Sequence, residues 1–97
     1  MIITDINHSL DKTLDIMKIC AAEKAPLKRL FAGEAALKEI QKTIDLINEA
    51  IESGDYQCNL DGLVNARNGV IQERNRIESI VKLDRELVAM MISCETI

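Results

Sequence analysis

Aliphatic residues recur at heptad spacing through the middle of the chain, and this repeat constrains the fold more than any other feature. The first set repeats every seven residues and consists of Leu30, Leu37, Ile44 and Ile51. The second set consists of Ile40 and Ile47, which lie three residues after Leu37 and Ile44. Such alternation keeps one side of an α-helix apolar, as the a and d positions of a coiled coil do. We therefore predict helical structure over about residues 26–53, of which the part from about 34 to 53 is favoured as one helix. Gly33 occupies the preceding d position, where it indicates either a close helix approach or a break that leaves a short extra helix at 26–32.

The composition supports an all-helical chain. Hydrophobic residues make up 47% of the 97 residues, yet aromatic residues only 2%, with one Pro and four Gly. Sheet proteins need more aromatic residues and more turn residues, so most all-β folds are excluded. The high apolar content and a net charge of only −4 argue against disorder. The length suits one domain, and we assign residues 1–97 to a single all-helical domain.

Two further helices flank the heptad repeat. Apolar residues at helical spacing predict a first helix over about residues 5–22, which Ala25-Pro26 separates from the second. The run Ser53-Gly54-Asp55 ends the second helix. An apolar stripe then predicts a third helix over about residues 60–93, continuous or kinked at Asn68-Gly69 because the phase of the stripe does not change there. The sequence thus predicts an all-α antiparallel three-helix (up-down-up) bundle, or a long helical hairpin, with coiled-coil-like packing.

The unequal lengths of these helices predict apolar surfaces that the chain cannot cover. Matching residues across the two turns puts Pro26 level with Leu87 and Asp5 level with Thr43, so each end of the bundle extends past a shorter neighbour. Contiguous apolar surface of this kind marks binding sites, although the a and d positions of the second helix could equally be buried inside the monomer. The candidate interface residues are Leu87, Val88, Met90, Met91 and Ile92 at one end, and Ile44, Ile47, Ile51, Leu60, Leu63 and Val64 at the other. Arg67 and Arg74 share a heptad phase with the apolar stripe, and arginine at such a border is favoured in protein interfaces.

The sequence contains no pattern that indicates catalysis or cofactor binding. Phosphate-binding glycine motifs, the paired histidines of zinc proteases and calcium loops are all missing. His8 is the only histidine, and the spacing of Cys20, Cys58 and Cys94 fits neither a disulfide framework nor a zinc site. We expect these cysteines to be reduced and mostly buried. We predict that the protein is not an enzyme, and that it has no catalytic residue, no metal-ligating residue and no cofactor.

The charge balance and the apolar surfaces together indicate a protein partner. A pI near 4.9 argues against nucleic acid, and the lack of a long apolar run or a leader-like N-terminus argues against a membrane partner and for a cytoplasmic location. We expect a homo-oligomer, most simply a dimer, or a heteromeric complex. The leading hypothesis is a small non-enzymatic regulator or inhibitor, of bacterial or phage type, that docks on a larger protein. Alternatives are an export or assembly chaperone that shelters a helical client and, more weakly, a structural subunit of a larger assembly.

Overall fold

Three long helices make up nearly the whole chain in the computed structural model, which describes residues 2–95. Helix α1 spans Ile2–Ala22, α2 spans Pro26–Ser53 and α3 spans Leu60–Glu95, with a short 3-10 turn at Gln57–Asn59 before α3. The described residues contain no strand. The predicted all-α three-helix fold is confirmed.

The boundaries of α2 follow from backbone chemistry at its two ends. Ala25 is extended (φ −74°, ψ 119°) and Pro26 is the first helical residue, as expected because proline disfavours helical geometry in the residue before it. At the other end Gly54 has φ 75°, a left-handed conformation that costs glycine nothing. The Ser53 hydroxyl donates to the Ala50 carbonyl and accepts from the Asp55 amide. These interactions satisfy backbone groups where the helix stops.

Both glycines at predicted weak points lie inside continuous helices. The break at Gly33 and the separate helix at 26–32 are absent, because Gly33 is a site of close approach: a Cβ there would lie 2.7 Å from Val81 Cγ2. Helix α3 also runs through Asn68-Gly69 without interruption. Gly69 has no other atom near the position of a Cβ, so there the helix simply tolerates glycine.

Helix α2 is the centre of the bundle. Helices α1 and α3 each pack antiparallel against it along its length. The Arg29 guanidinium donates to both carboxylate oxygens of Asp84 at 2.7–3.0 Å, and Ser9 contacts Glu39 and Thr43. These pairs reproduce the predicted alignment of Pro26 with Leu87, and that of Asp5 with Thr43 to within about one turn.

The core is aliphatic and runs along the inner face of α2. Its largest fully buried apolar side chains are Ile40, Ile47, Ile77 and Val81. The prediction that Ile44 and Ile47 form part of an uncovered surface is wrong, since both are buried in this core. The physical reason is that α1 begins at Ile2, about one turn earlier than predicted, so that Ile2 and Ile3 pack over this end of the core.

Small and hydroxyl-bearing side chains line the contact between α1 and α2. Ser9, Thr13 and Thr43 are buried there. The Ser9 and Thr43 hydroxyl oxygens lie 2.7 Å apart, the Thr13 hydroxyl donates to the Ser9 carbonyl, and the Ser9 hydroxyl lies 2.9 Å from Glu39 Oε1. Each hydroxyl has a partner, so its burial carries no large desolvation cost. These hydrogen bonds fix the register of α1 on α2 without burying additional apolar surface.

Candidate protein-binding site

The last two turns of α3 extend beyond the rest of the molecule. Asp84 is level with Arg29, and α3 continues for about 16 Å after Asp84, whereas α2 begins only three residues before Arg29. Residues 87–94 contain no charged side chain. Four large apolar residues of this overhang are exposed, by 38% to 64%: Leu87, Met90, Met91 and Ile92. The structure thus places an apolar surface where the sequence predicts one.

One side of the overhang forms a cleft with the first turn of α2. Leu27, Val88, Met91 and Ile92 line it, and its volume is about 160 Å³. We call these four residues the terminal patch. Leu27 is 49% exposed, and Lys24 and Lys28, which flank it in sequence, are exposed as well. The apolar lining of the cleft resembles the centre of a protein interface, and the basic residues beside it resemble the polar rim.

Sequence reasoning missed Leu27, although a signal for it was present. Leu27 and Phe31 are four residues apart and lie outside the heptad repeat of α2, so they share a helix face that the core does not use. Phe31 is 61% exposed. An apolar pair on the outer face of an amphipathic helix is the pattern that would have identified the site.

A partly buried ion pair joins α2 to α3 beside the terminal patch. The side chain of Asp84 is 7% exposed, and it accepts a bidentate pair of hydrogen bonds from Arg29. These hydrogen bonds to Asp84 raise the pKa of Arg29. Two parallel hydrogen bonds fix orientation as well as distance. The first turn of α2, which carries Leu27, is therefore held rigidly against α3.

The Cys20 thiol lies beside this ion pair and has no sign of reactivity. It is buried and lies 3.5 Å from the Arg29 carbonyl oxygen, to which it can donate. Burial, and secondarily the charge of Asp84, raise the pKa of Cys20, while Arg29 lowers it. The thiol is thus held in its protonated, unreactive form.

Arg67 and Arg74 are engaged within the chain. Arg67 donates to Asn48 and Arg74 donates to Gln41, both at 3.1 Å across the contact between α3 and α2. The heptad position that they share with the apolar stripe places both side chains on the side of α3 that faces α2. The sequence located them correctly on the border of the stripe, but that border is occupied by α2 of the same chain.

The remaining predicted interface residues lie at the turn between α2 and α3. They are half-buried rather than exposed: Ile51, Leu60, Leu63 and Val64. Ile51 and Leu63 pack against the core, as does Tyr56 from the turn. This end of the bundle is largely closed by its own side chains, and the apolar surface concentrates at the other end.

The cysteines and the histidine form no site with one another. Cys20 is buried, but Cys58 and Cys94 are exposed, so the expectation of mostly buried thiols is wrong for two of the three. His8 lies on an open polar groove of about 480 Å³ between α1 and α2, together with Asp5, Lys12 and Lys42. Among residues 2–95, no group of three or more His, Cys, Asp or Glu side chains could hold a metal ion. Nor does any helix in this range have the length and apolar character needed to cross a membrane.

Comparison of the chain with protein-family models, with curated proteins and with solved structures finds no match. Function must therefore be argued from the surface itself.

Proposed function

We propose that this protein is a small non-enzymatic regulator or inhibitor that docks on a larger protein through the terminal patch. The observation that carries the proposal is the cleft between Leu27 and the overhang of α3, with apolar side chains exposed around it. Soluble proteins rarely expose such a cluster unless it binds something. Rigid helices on both sides of the cleft reduce the entropy lost on binding.

The residues of the patch indicate the chemistry of its partner. A cleft of about 160 Å³ has room for one or two aliphatic side chains. Lys24 and Lys28 lie beside it, and the first turn of α2 adds the partial positive charge of a helix N-terminus. The expected partner therefore presents an apolar side chain flanked by Asp or Glu.

Two further features favour related proposals. The apolar character of the rest of the overhang favours self-association of the chain, most simply as a dimer. Leu14 on α1 is 45% exposed, and this favours the alternative of an export or assembly chaperone, because a helical client could pack against an apolar side chain exposed on a helix. The two docking proposals use different surfaces and can be separated by substitution.

Leu27→Glu tests the terminal patch. Leu27 is half-exposed, and a carboxylate is favoured in the first turn of a helix, so the fold should be retained. A charge in the cleft should weaken binding at least about tenfold, or roughly 1.4 kcal/mol. The measurement is affinity capture from lysate of the source cell, followed by titration of the purified partner against wild type and variant.

Two matched variants make this result specific. Ile19→Glu places the same charge at another exposed apolar position, 63% exposed on α1, and should leave binding unchanged. Leu14→Glu places it at the position on α1 where a helical client would pack. Binding lost with Leu14→Glu and kept with Leu27→Glu would support the chaperone and overturn the regulator proposal. Binding unaffected by either variant would overturn both.

A further inference from the structure

The turn between α2 and α3 and the first third of α3 contain no fully buried side chain. Every residue in the range 54–69, which we call the turn segment, is exposed or half-buried. The first buried residue of α3 is Val70, and Ile77 and Val81 further along are buried completely. The buried apolar side chains that fix α3 on α2 therefore lie beyond the turn segment.

The helical part of the turn segment has a weak intrinsic preference for helix. It contains two glycines and two asparagines: Gly62, Gly69, Asn65 and Asn68. A glycine in a helix interior lowers the equilibrium constant for helix formation about fivefold relative to alanine. Apart from the local backbone and the neighbouring residues, no atom lies within 4 Å of a Cβ built at either glycine. Unlike Gly33, these glycines weaken the helix without permitting a close approach.

The polar contacts between α3 and α2 are also strongest outside the turn segment. Within the segment, Arg67 donates to Asn48 at 3.1 Å, but no ion pair involves residues 54–69. Two ion pairs hold the rest of α3 on α2: Arg29 with Asp84 and Glu34 with Arg85. The attachment of α3 thus becomes weaker toward the turn.

The contact between α1 and α2 does not depend on the turn segment. The hydroxyl oxygens of Ser9 and Thr43 lie 2.7 Å apart, and the Thr13 hydroxyl donates to the Ser9 carbonyl. Ile2 and Ile3 add apolar contacts with the core. All these interactions remain possible when the first turns of α3 are lost.

We infer that the turn segment opens as one unit while the rest of the bundle stays folded, with Gly69 as the hinge. Val70, the next residue, is already buried on the part that stays closed. Opening of this kind leaves the buried side chains and both ion pairs of the rest of α3 in place, so it requires less free energy than global unfolding.

The opening changes the apolar surface at this end of the molecule. It removes Tyr56 and Leu63 from the core, against which both pack in the closed form. Because Arg67 is level with Asn48, the turn segment lies beside the last turn of α2, and its opening uncovers Ile51 there. The open form thus presents a second apolar surface, at the end of the bundle opposite the terminal patch.

Native-state hydrogen exchange of the full chain tests this inference. Amides of residues 64–69 and of residues 77–84 both lie beyond the first turn of α3, where they are bonded within the helix, so they exchange only when it opens. After correction for intrinsic rates, we expect the first group to exchange at least about tenfold faster than the second. Its rates should also depend less on low concentrations of urea, because local opening exposes less surface than global unfolding.

Two variants show whether the opening is local. Ile77→Val removes one methylene from a completely buried side chain in the part that stays closed. It should accelerate exchange at residues 77–84 about fivefold and leave residues 64–69 unchanged. Gly69→Ala is the matched variant within the turn segment and should slow exchange at residues 64–69 about threefold to fivefold.

Each outcome decides the inference. One common rate for residues 64–69, unaffected by Ile77→Val and slowed by Gly69→Ala, supports a unit that opens at Gly69. Similar exchange in the two groups of amides, or acceleration of both by Ile77→Val, means that α3 opens only with the whole bundle and overturns the inference. A gradual decrease in rate from residue 64 to residue 77 indicates loss of the helix turn by turn, and this also overturns it.

Discussion

At the scale of single residues, Gly33 is a position where the packing of α3 on α2 leaves no room for a side chain. Glycine inside a helix costs about 1 kcal/mol relative to alanine, so its presence here needs a reason. The reason is Val81, whose Cγ2 would lie 2.7 Å from a Cβ at position 33. Val81 is fully buried and β-branched, so it cannot rotate away easily.

We expect Gly33→Ala to lower the free energy of unfolding by about 1–2 kcal/mol, because overpacking outweighs the gain in helix propensity. Gly69→Ala is the matched control: no atom lies within 4 Å of its Cβ position, so it should stabilise the protein by up to about 1 kcal/mol. Urea denaturation of both variants gives the comparison. Equal stabilisation by both would show that the approach of α3 to Gly33 is not tight.

At the scale of elements, the first turn of α1 decides whether one end of the bundle is closed. Ile2 and Ile3 pack against the core there, near the end of α2 that contains Ile47. Without them this end would expose the apolar surface that the sequence predicts. A single helical turn thus separates a closed end from an exposed one.

The double substitution Ile2→Ser and Ile3→Ser should lower the free energy of unfolding by about 2 kcal/mol and increase the binding of a dye specific for apolar surface. Both side chains are half-buried, so the loss is smaller than for a full core residue. Thr4→Ala and Asp5→Ala change exposed residues of the same turn and should each stay within about 0.5 kcal/mol of wild type. Unchanged dye binding in the double variant would show that this turn does not cover the core.

At the scale of the whole molecule, the chain is an elongated rod with its apolar surface concentrated at one end. Its Cα atoms extend over 60 × 17 × 15 Å. The terminal patch joins the first turn of α2 to the end of α3, and Leu83, Leu87 and Met90, which do not line its cleft, are exposed on α3 as well.

If the chain dimerises, its stability must depend on concentration, because association favours the folded form by mass action. We expect the melting temperature to rise by about 3–5 °C for each tenfold increase in protein concentration. Truncation after Arg85 removes the overhang but keeps Ile77, Val81 and the Arg29–Asp84 pair, so the shortened chain should stay helical and melt independently of concentration. A full-length chain whose melting temperature does not change with concentration would contradict dimerisation.

The sequence by itself determined the helices, their order and their alignment. Those properties depend on local signals such as Pro26, Gly54 and the spacing of apolar residues. They also depend on short turns, which favour antiparallel packing of consecutive helices. The exposed overhang was predictable for the same reason, since it follows from comparing lengths along the chain.

Only the tertiary structure decided which apolar residues of α3 are buried in the bundle and which stay exposed. Periodicity locates a stripe on a helix, but it does not show which neighbour covers each part of that stripe. The burial of Ile44 and Ile47, the use of Arg67 and Arg74 within the chain, and the cleft at Leu27 all depend on the rotation of each helix about its axis. That rotation is set by contacts between residues distant in sequence, such as Gly33 with Val81 and Arg29 with Asp84.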